Sequence, residues 1–153
     1  MSQAVVSTLE AGSGTFASAL VPHESTPVDG WLWLSYDQLN LSFVNDVEPD
    51  GLHYGVVLIE SSAKGNKRPY HKQKLALLLS SQRHFAIEVQ ATGRPVRYLT
   101  TNGTYADALG EHIDRHGPVH AVVHAELELR KEIQPLVDRG DVVLHRHIGW
   151  LTK

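Results

Sequence analysis

The feature that most constrains this chain is a rhythm of short apolar runs separated by stretches with helical spacing. Trp31–Leu32–Trp33–Leu34–Ser35 is the first such run, and Tyr54 to Glu60, with Gly55–Val–Val–Leu–Ile59 inside it, is the second. Apolar runs of this length without alternation mark strands buried on both faces. Pro95 to Thr101, Val119 to Ala125 and Asp141 to His145 continue the series. Between them lie helical stretches. Pro69 is suited to a first helical turn and opens one that runs to about Thr92. Its Leu75, Leu78, Leu79, Gln82, Ala86 and Val89 form one stripe, and Gly93 stops it. Thr104 to His116 ends at Gly117–Pro118, and Leu127 to Asp138 ends near Gly140. The connection from Ser35 to Tyr54 is either a short helix or an irregular crossover. Strand–helix–strand units with crossovers of this length imply parallel strands. The expected fold is α/β, a Rossmann-like, doubly wound five-stranded parallel sheet with helices on both faces.

Residues 1–29 read differently. Gly12, Ser13, Gly14, Pro22, Ser25, Thr26 and Pro27 break any periodicity, so this part is expected to be a flexible leader with at most a short helix near Thr15 to Leu20. The folded domain is expected over residues 30–153. The absence of cysteine excludes disulfides, thiolate zinc sites, a cysteine nucleophile and cysteine ligands for an iron–sulfur cluster within these residues. A net charge of −3 gives no whole-surface attraction to nucleic acid or anionic membrane. No apolar run reaches the roughly 18 residues of a membrane span, and no signal-like N-terminus is present. A soluble cytoplasmic domain is the expectation. Ten histidines make its charge sensitive to pH near neutrality.

In an open parallel sheet, ligands bind beyond the carboxyl ends of the strands, where strand order reverses. Three strand ends carry polar groups: Tyr36–Asp37–Gln38, Glu60–Ser61 and Ala125–Glu126. Asp37 and Glu60 are candidates for ligand contact, and they are equally suited to capping a neighbouring helix or loop. No GxGxxG and no Walker lysine motif occurs, so side chains and strand-end backbone must hold any ligand. The densest basic segment, Arg68–Pro–Tyr70–His71–Lys72–Gln–Lys74, stands at the start of the long helix, where cations oppose the helix dipole. That placement suits an anion, a partner or a solvated face. No GxSxG elbow is present. His145 and His147 fall on one face of a strand without an evident third metal ligand, and His120 and His124 are expected to form core or rim hydrogen bonds.

Several segments, in order and at their spacings, resemble the deoxyribodipyrimidine photolyase-related proteins, the bacterial iron–sulfur cryptochromes and photolyases. They are Tyr36–Asp–Gln–Leu39–Asn40, Leu58–Ile–Glu60–Ser61, Arg68–Pro–Tyr–His–Lys–Gln–Lys–Leu75 and Ser80 to Phe85. Glu126–Leu–Glu–Leu–Arg130, Pro135–Leu136 and Gly149–Trp–Leu–Thr152 extend the likeness, which covers about residues 31–152. The resemblance implies an N-terminal antenna domain that holds a light-harvesting 6,7-dimethyl-8-ribityllumazine. It implies a separate helical domain that carries FAD, an iron–sulfur cluster and the site for damaged DNA. Carried over residue by residue, the chromophore-binding candidates are Tyr36, Asp37, Gln38, Leu39, Glu60, Ser61, Tyr70 and Lys72. Tyr36 departs from the family pattern, which has glycine before the Asp–Gln pair.

The expected function is therefore that of an antenna-type domain. It binds or once bound a lumazine-like chromophore and docks on a helical FAD-binding domain for light-driven DNA repair or photoreception. Such a domain is not catalytic by itself, and damaged DNA is reached only through the flavin domain. Its exposed docking face is also suited to forming a homodimer. The alternatives are a stand-alone interaction domain without chromophore and an unrelated nucleotide-binding α/β protein.

Overall fold

The computed structural model describes residues 6–8, 20, 27–61 and 72–146, with the side chains of 6–8 and 72–75 outside that description. In chain order the elements are β1 (Val6–Thr8), β2 (Gly30–Trp33), α1 (Leu41–Val47), β3 (Tyr54–Ser61) and α2 (Lys72–Ala91). They continue with β4 (Val96–Thr101), α3 (Tyr105–His116), β5 (Val119–Val122), α4 (Leu127–Asp138) and β6 (Val142–His145). The sheet order is β1-β4-β3-β2-β5-β6. Strands β2 to β6 pair in parallel throughout, as the rhythm predicts.

Two features go beyond the sequence reading. Val6–Thr8, inside the segment assigned to a leader, pairs antiparallel with Leu99–Thr101 and adds an edge strand to the five parallel ones. Leu20, from the same segment, is buried in the core. Three residues are too few to show alternation, which is why the segment carries no strand signal. The first crossover, left open between two forms, is a short helix. Asn40 caps α1, its side chain accepting from the Ser42 backbone N–H at 2.8 Å.

The sheet is covered on both faces. Leu32, Leu34, Val56, Leu58, Val96 and Tyr98 pack with Val44 and Val47 of α1 and with Phe85, Ala86 and Val89 of α2. Trp31, Trp33, Val57, Ile59 and Leu99 pack with Tyr105, Ala108 and Leu109 of α3 and with Leu129, Ile133 and Leu136 of α4. Helix α3 starts on a reciprocal capping box between Thr104 and Asp107. The stripe predicted for α2 faces the core at Gln82, Ala86 and Val89, with Leu78 and Leu79 half-buried.

Two glycines let aromatic rings lie flat on the sheet. A Cβ on Gly30 would stand 2.8 Å from the Tyr54 ring, and one on Gly55 would stand 2.5 Å from the Trp31 ring. The missing side chains let Tyr54 reach His120 on one face and Trp31 meet His112 on the other.

Candidate functional site

Strands β3 and β4 extend from one side of β2, and β5 and β6 from the other, so strand order reverses between β2 and β5. The carboxyl ends of these two strands carry Tyr36, Asp37 and Gln38 on one side and His124 and Glu126 on the other. The Tyr36 hydroxyl donates to Glu126 Oε2 at 2.6 Å across this gap. Glu126 occupies the N-cap of α4 but its side chain makes no capping bond. Gln38, 6% exposed, ties the two ends together: its Nε2 donates to the carbonyls of Val122 and Val123, and its Oε1 accepts from the Ser35 N–H. Asp37 accepts from Ser35 Oγ at 2.6 Å and is exposed to solvent. Asp37 caps no described helix.

Near the same strand ends lie buried polar atoms with no hydrogen-bond partner. His124 is 2% exposed and Trp33 is fully buried. Their rings stand 4.6 Å apart, and among the described residues neither nitrogen of His124 nor Nε1 of Trp33 is hydrogen-bonded. The sequence expectation of a core or rim hydrogen bond for His124 therefore fails, because nothing in the described core offers it a partner. Burial pushes the His124 pKa down to about 4, against the pull of Asp37 and Glu126 and with that of Arg130. The imidazole is neutral at pH 7, with one nitrogen donating and the other accepting. Unmet buried groups of this kind cost about 1–3 kcal/mol each, so they point to a missing partner.

The other candidates lie elsewhere. Glu60 stands at the end of β3 and is fully engaged. Arg83 donates from Nε at 2.6 Å and from Nη2 at 2.9 Å, and the Tyr98 hydroxyl also donates to it. Burial, then the bond to Glu60, raises the Tyr98 pKa well above its ordinary value. Ser61 Oγ donates to the Gly103 carbonyl at 2.6 Å. Leu39 packs half-buried against the core on the α1–α2 face. Tyr70 lies outside the described residues, and Lys72 opens α2 with its side chain outside the description. The structure thus brings together Tyr36, Asp37 and Gln38, and it engages Glu60 with Arg83 and Tyr98 and Ser61 separately with the Gly103 carbonyl.

Trp33 and His124 are the residues the sequence reading missed. Trp33 read as core, and only His124's position just before the acid at the β5 end hinted at more. His112, His116, His120 and His145 form internal contacts. His120 lies within 3.3 Å of the Tyr54 hydroxyl and 2.9 Å of His145, and Arg97 donates to the buried His112 at 2.7 Å. His147 is outside the described residues, and among those described no group of three metal-ligating side chains is assembled.

A family model for deoxyribodipyrimidine photo-lyase-related protein matches residues 32–152. The chain belongs to that family. No curated protein matches it. The match spans β2 to β6 and both strand ends at the crevice, so this photolyase-related chain carries its rim residues within the family's own segment. No described helix is long and apolar enough to cross a membrane.

Proposed function

We propose that this photolyase-related domain binds an antenna chromophore of the lumazine type at the β2–β5 crevice and docks beside it on a helical FAD-binding domain. The observation that carries this reading is the set of unpartnered buried nitrogens on His124 and Trp33, residues at the ends of β5 and β2. A neutral imidazole and an indole N–H together offer two donors and one acceptor. They suit a flat heterocycle with carbonyl oxygens and ring nitrogens. Asp37 at the exposed rim is placed to accept from the hydroxyls of a ribityl chain. Glu60, held by Arg83 and Tyr98, and Ser61, bonded to the Gly103 carbonyl, serve the frame of the sheet rather than the ligand.

Docking at the same edge is favoured by exposed apolar side chains. Val123 is 40% exposed and Leu127 54% exposed, and both flank His124 and Glu126 in sequence. A chromophore bound at this edge would lie close to that docking face, which supports energy transfer to a flavin. In that role the domain gathers light and leaves the chemistry of repair or signalling to the flavin domain. Titration with 6,7-dimethyl-8-ribityllumazine, followed by fluorescence, tests the binding. Saturable quenching that weakens in Asp37→Ala and His124→Phe is the expected result. A titration without change would refute chromophore binding and favour a chromophore-free interaction domain. Sedimentation of the purified chain separates docking on a different domain from self-association: a Val123→Asp/Leu127→Asp pair should leave a monomer unchanged and dissociate a homodimer.

A further inference from the structure

We propose that His120 and His145 form a site for a divalent transition metal between β5 and the edge strand β6, with the Tyr54 hydroxyl holding His120 in its ligating form. The inference is independent of the chromophore reading. In the parallel register His120 pairs with Val143 and Val122 with His145, so the two histidines lie diagonally on one face of adjacent strands. His120 Nδ1 and His145 Nε2 stand 2.9 Å apart. Two imidazole nitrogens on one tetrahedral zinc ion lie about 3.3 Å apart, so a small turn of either ring admits the metal. Both residues are partly exposed, and water can complete the coordination shell. Two protein ligands, short of three, make the ion exchangeable.

The surroundings favour a cation here over the other buried histidines. Arg97 lowers the pKa of His112 and of His116, and Arg130 that of His124, so a metal at those rings would meet a guanidinium. Among the described residues no arginine or lysine acts in this way on His120 or His145. Burial lowers the pKa of both, which keeps the imidazoles neutral at pH 7 and able to ligate. The second nitrogen of His120, Nε2, lies 3.3 Å from the Tyr54 hydroxyl, whose ring crosses the sheet over Gly30. With its proton on Nε2, His120 donates to that hydroxyl and leaves Nδ1 unprotonated, as an outer oxygen does for a ligating histidine. Asp29 and Glu48, which raise the Tyr54 pKa, bring negative charge close to the same tyrosine. Without metal, His145 Nε2–H donates to His120 Nδ1; the ion takes the place of that proton, which moves to His145 Nδ1. Imidazole suits zinc, nickel and copper, with Cu(II) held most tightly. Bound there, the ion ties the four-residue strand β6 to β5 through side chains as well as backbone.

Titration of the wild-type chain with zinc chloride tests the site directly. Histidine ring nitrogens are followed by NMR and assigned by their loss in His120→Asn and His145→Asn. Those of His120 and His145 should move together and saturate before those of the exposed His53 and His84 respond. A pair that stays still, or that moves only after His53 and His84, would overturn the site. Thermal unfolding gives a second readout. Zinc should raise the wild-type midpoint and leave that of His145→Asn unchanged, and an equal rise in both would overturn the bridge between the strands. Tyr54→Phe keeps the ring and both ligands and should weaken zinc binding about tenfold. Wild-type affinity in that variant would overturn the part given to the Tyr54 hydroxyl.

Discussion

The ends of β3 and of the β2–β5 pair look alike in the sequence and differ in the structure. Each has a carboxylate where a parallel strand runs out. At β3 the carboxylate of Glu60 is met by both arms of Arg83 and by the Tyr98 hydroxyl, and Gln82 completes the cluster through bonds to Tyr98 and the Ile59 carbonyl. At the β2–β5 rim Tyr36 bonds Glu126 and Gln38 bonds the Val122 and Val123 carbonyls, and Trp33 Nε1 and both His124 nitrogens near these strand ends have no hydrogen-bond partner. The first arrangement is a finished piece of structure. The second leaves buried polar nitrogens unpaired. A strand-end acid is therefore a poor guide to a site until its partners are known.

Acid breaks the comparison most strongly. Burial, aided by Arg97 and His116, lowers the His112 pKa from 6.5 to about 3, and His124 drops to about 4. Both are neutral in the folded protein and gain a proton on unfolding below pH 6.5. The unfolded chain then binds more protons, so stability falls as pH drops from 6.5 towards these folded values. For His112 the full window corresponds to roughly 5 kcal/mol. His116, His120 and His145 are also lowered by burial and push the same way. Thermal midpoints measured from pH 7.5 to pH 4 should fall steeply, and His112→Asn should flatten the slope. A slope that His112→Asn leaves untouched would show that the network around Arg97 does not hold the imidazole neutral.

Glu60→Ala comes next. It removes the carboxylate that accepts from both the Tyr98 hydroxyl and the Arg83 guanidinium and should cost about 2–3 kcal/mol by urea denaturation. Because Arg83 is 43% exposed, Arg83→Met should cost clearly less, about 1 kcal/mol. Equal losses for the two would mean that the ion pair, rather than the Tyr98 hydroxyl, dominates the cluster.

Gln38→Ala removes the link between the two rim segments and leaves the Val122 carbonyl and the Ser35 N–H short of a partner, for about 1–2 kcal/mol. The smallest effect belongs to Asp37. Its substitution by asparagine should change stability by no more than about 0.5 kcal/mol, since the side chain is exposed. The same variant should weaken lumazine binding several-fold in the fluorescence titration. A large loss of stability with unchanged binding would move Asp37 from the site to the frame.

The β/α rhythm was legible because burial on two faces leaves an unbroken apolar run, and helices leave a stripe. The helix Leu127–Asp138 was read with the bounds it has, while the capping box at Thr104 came from the structure. The edge strand Val6–Thr8 could not, because three residues in a polar context carry no period. Of the candidate site, Tyr36, Asp37 and Gln38 were placed at the rim by the strand-end rule alone. Trp33 and His124 escaped it, since a buried tryptophan and a buried histidine look like core until their nitrogens are followed to a partner.

By itself, then, the sequence determined the order and type of the main elements, the absence of thiol chemistry, the polar strand ends and the likeness that the family match bears out. Those properties depend on neighbours within a few residues or on composition. Only the tertiary structure decided which strands lie side by side, and therefore where the order reverses. It also decided that Glu60 meets Arg83 and Tyr98 while Tyr36 meets Glu126. Such partners are set by packing between segments as far as 90 residues apart, and no local period encodes that distance.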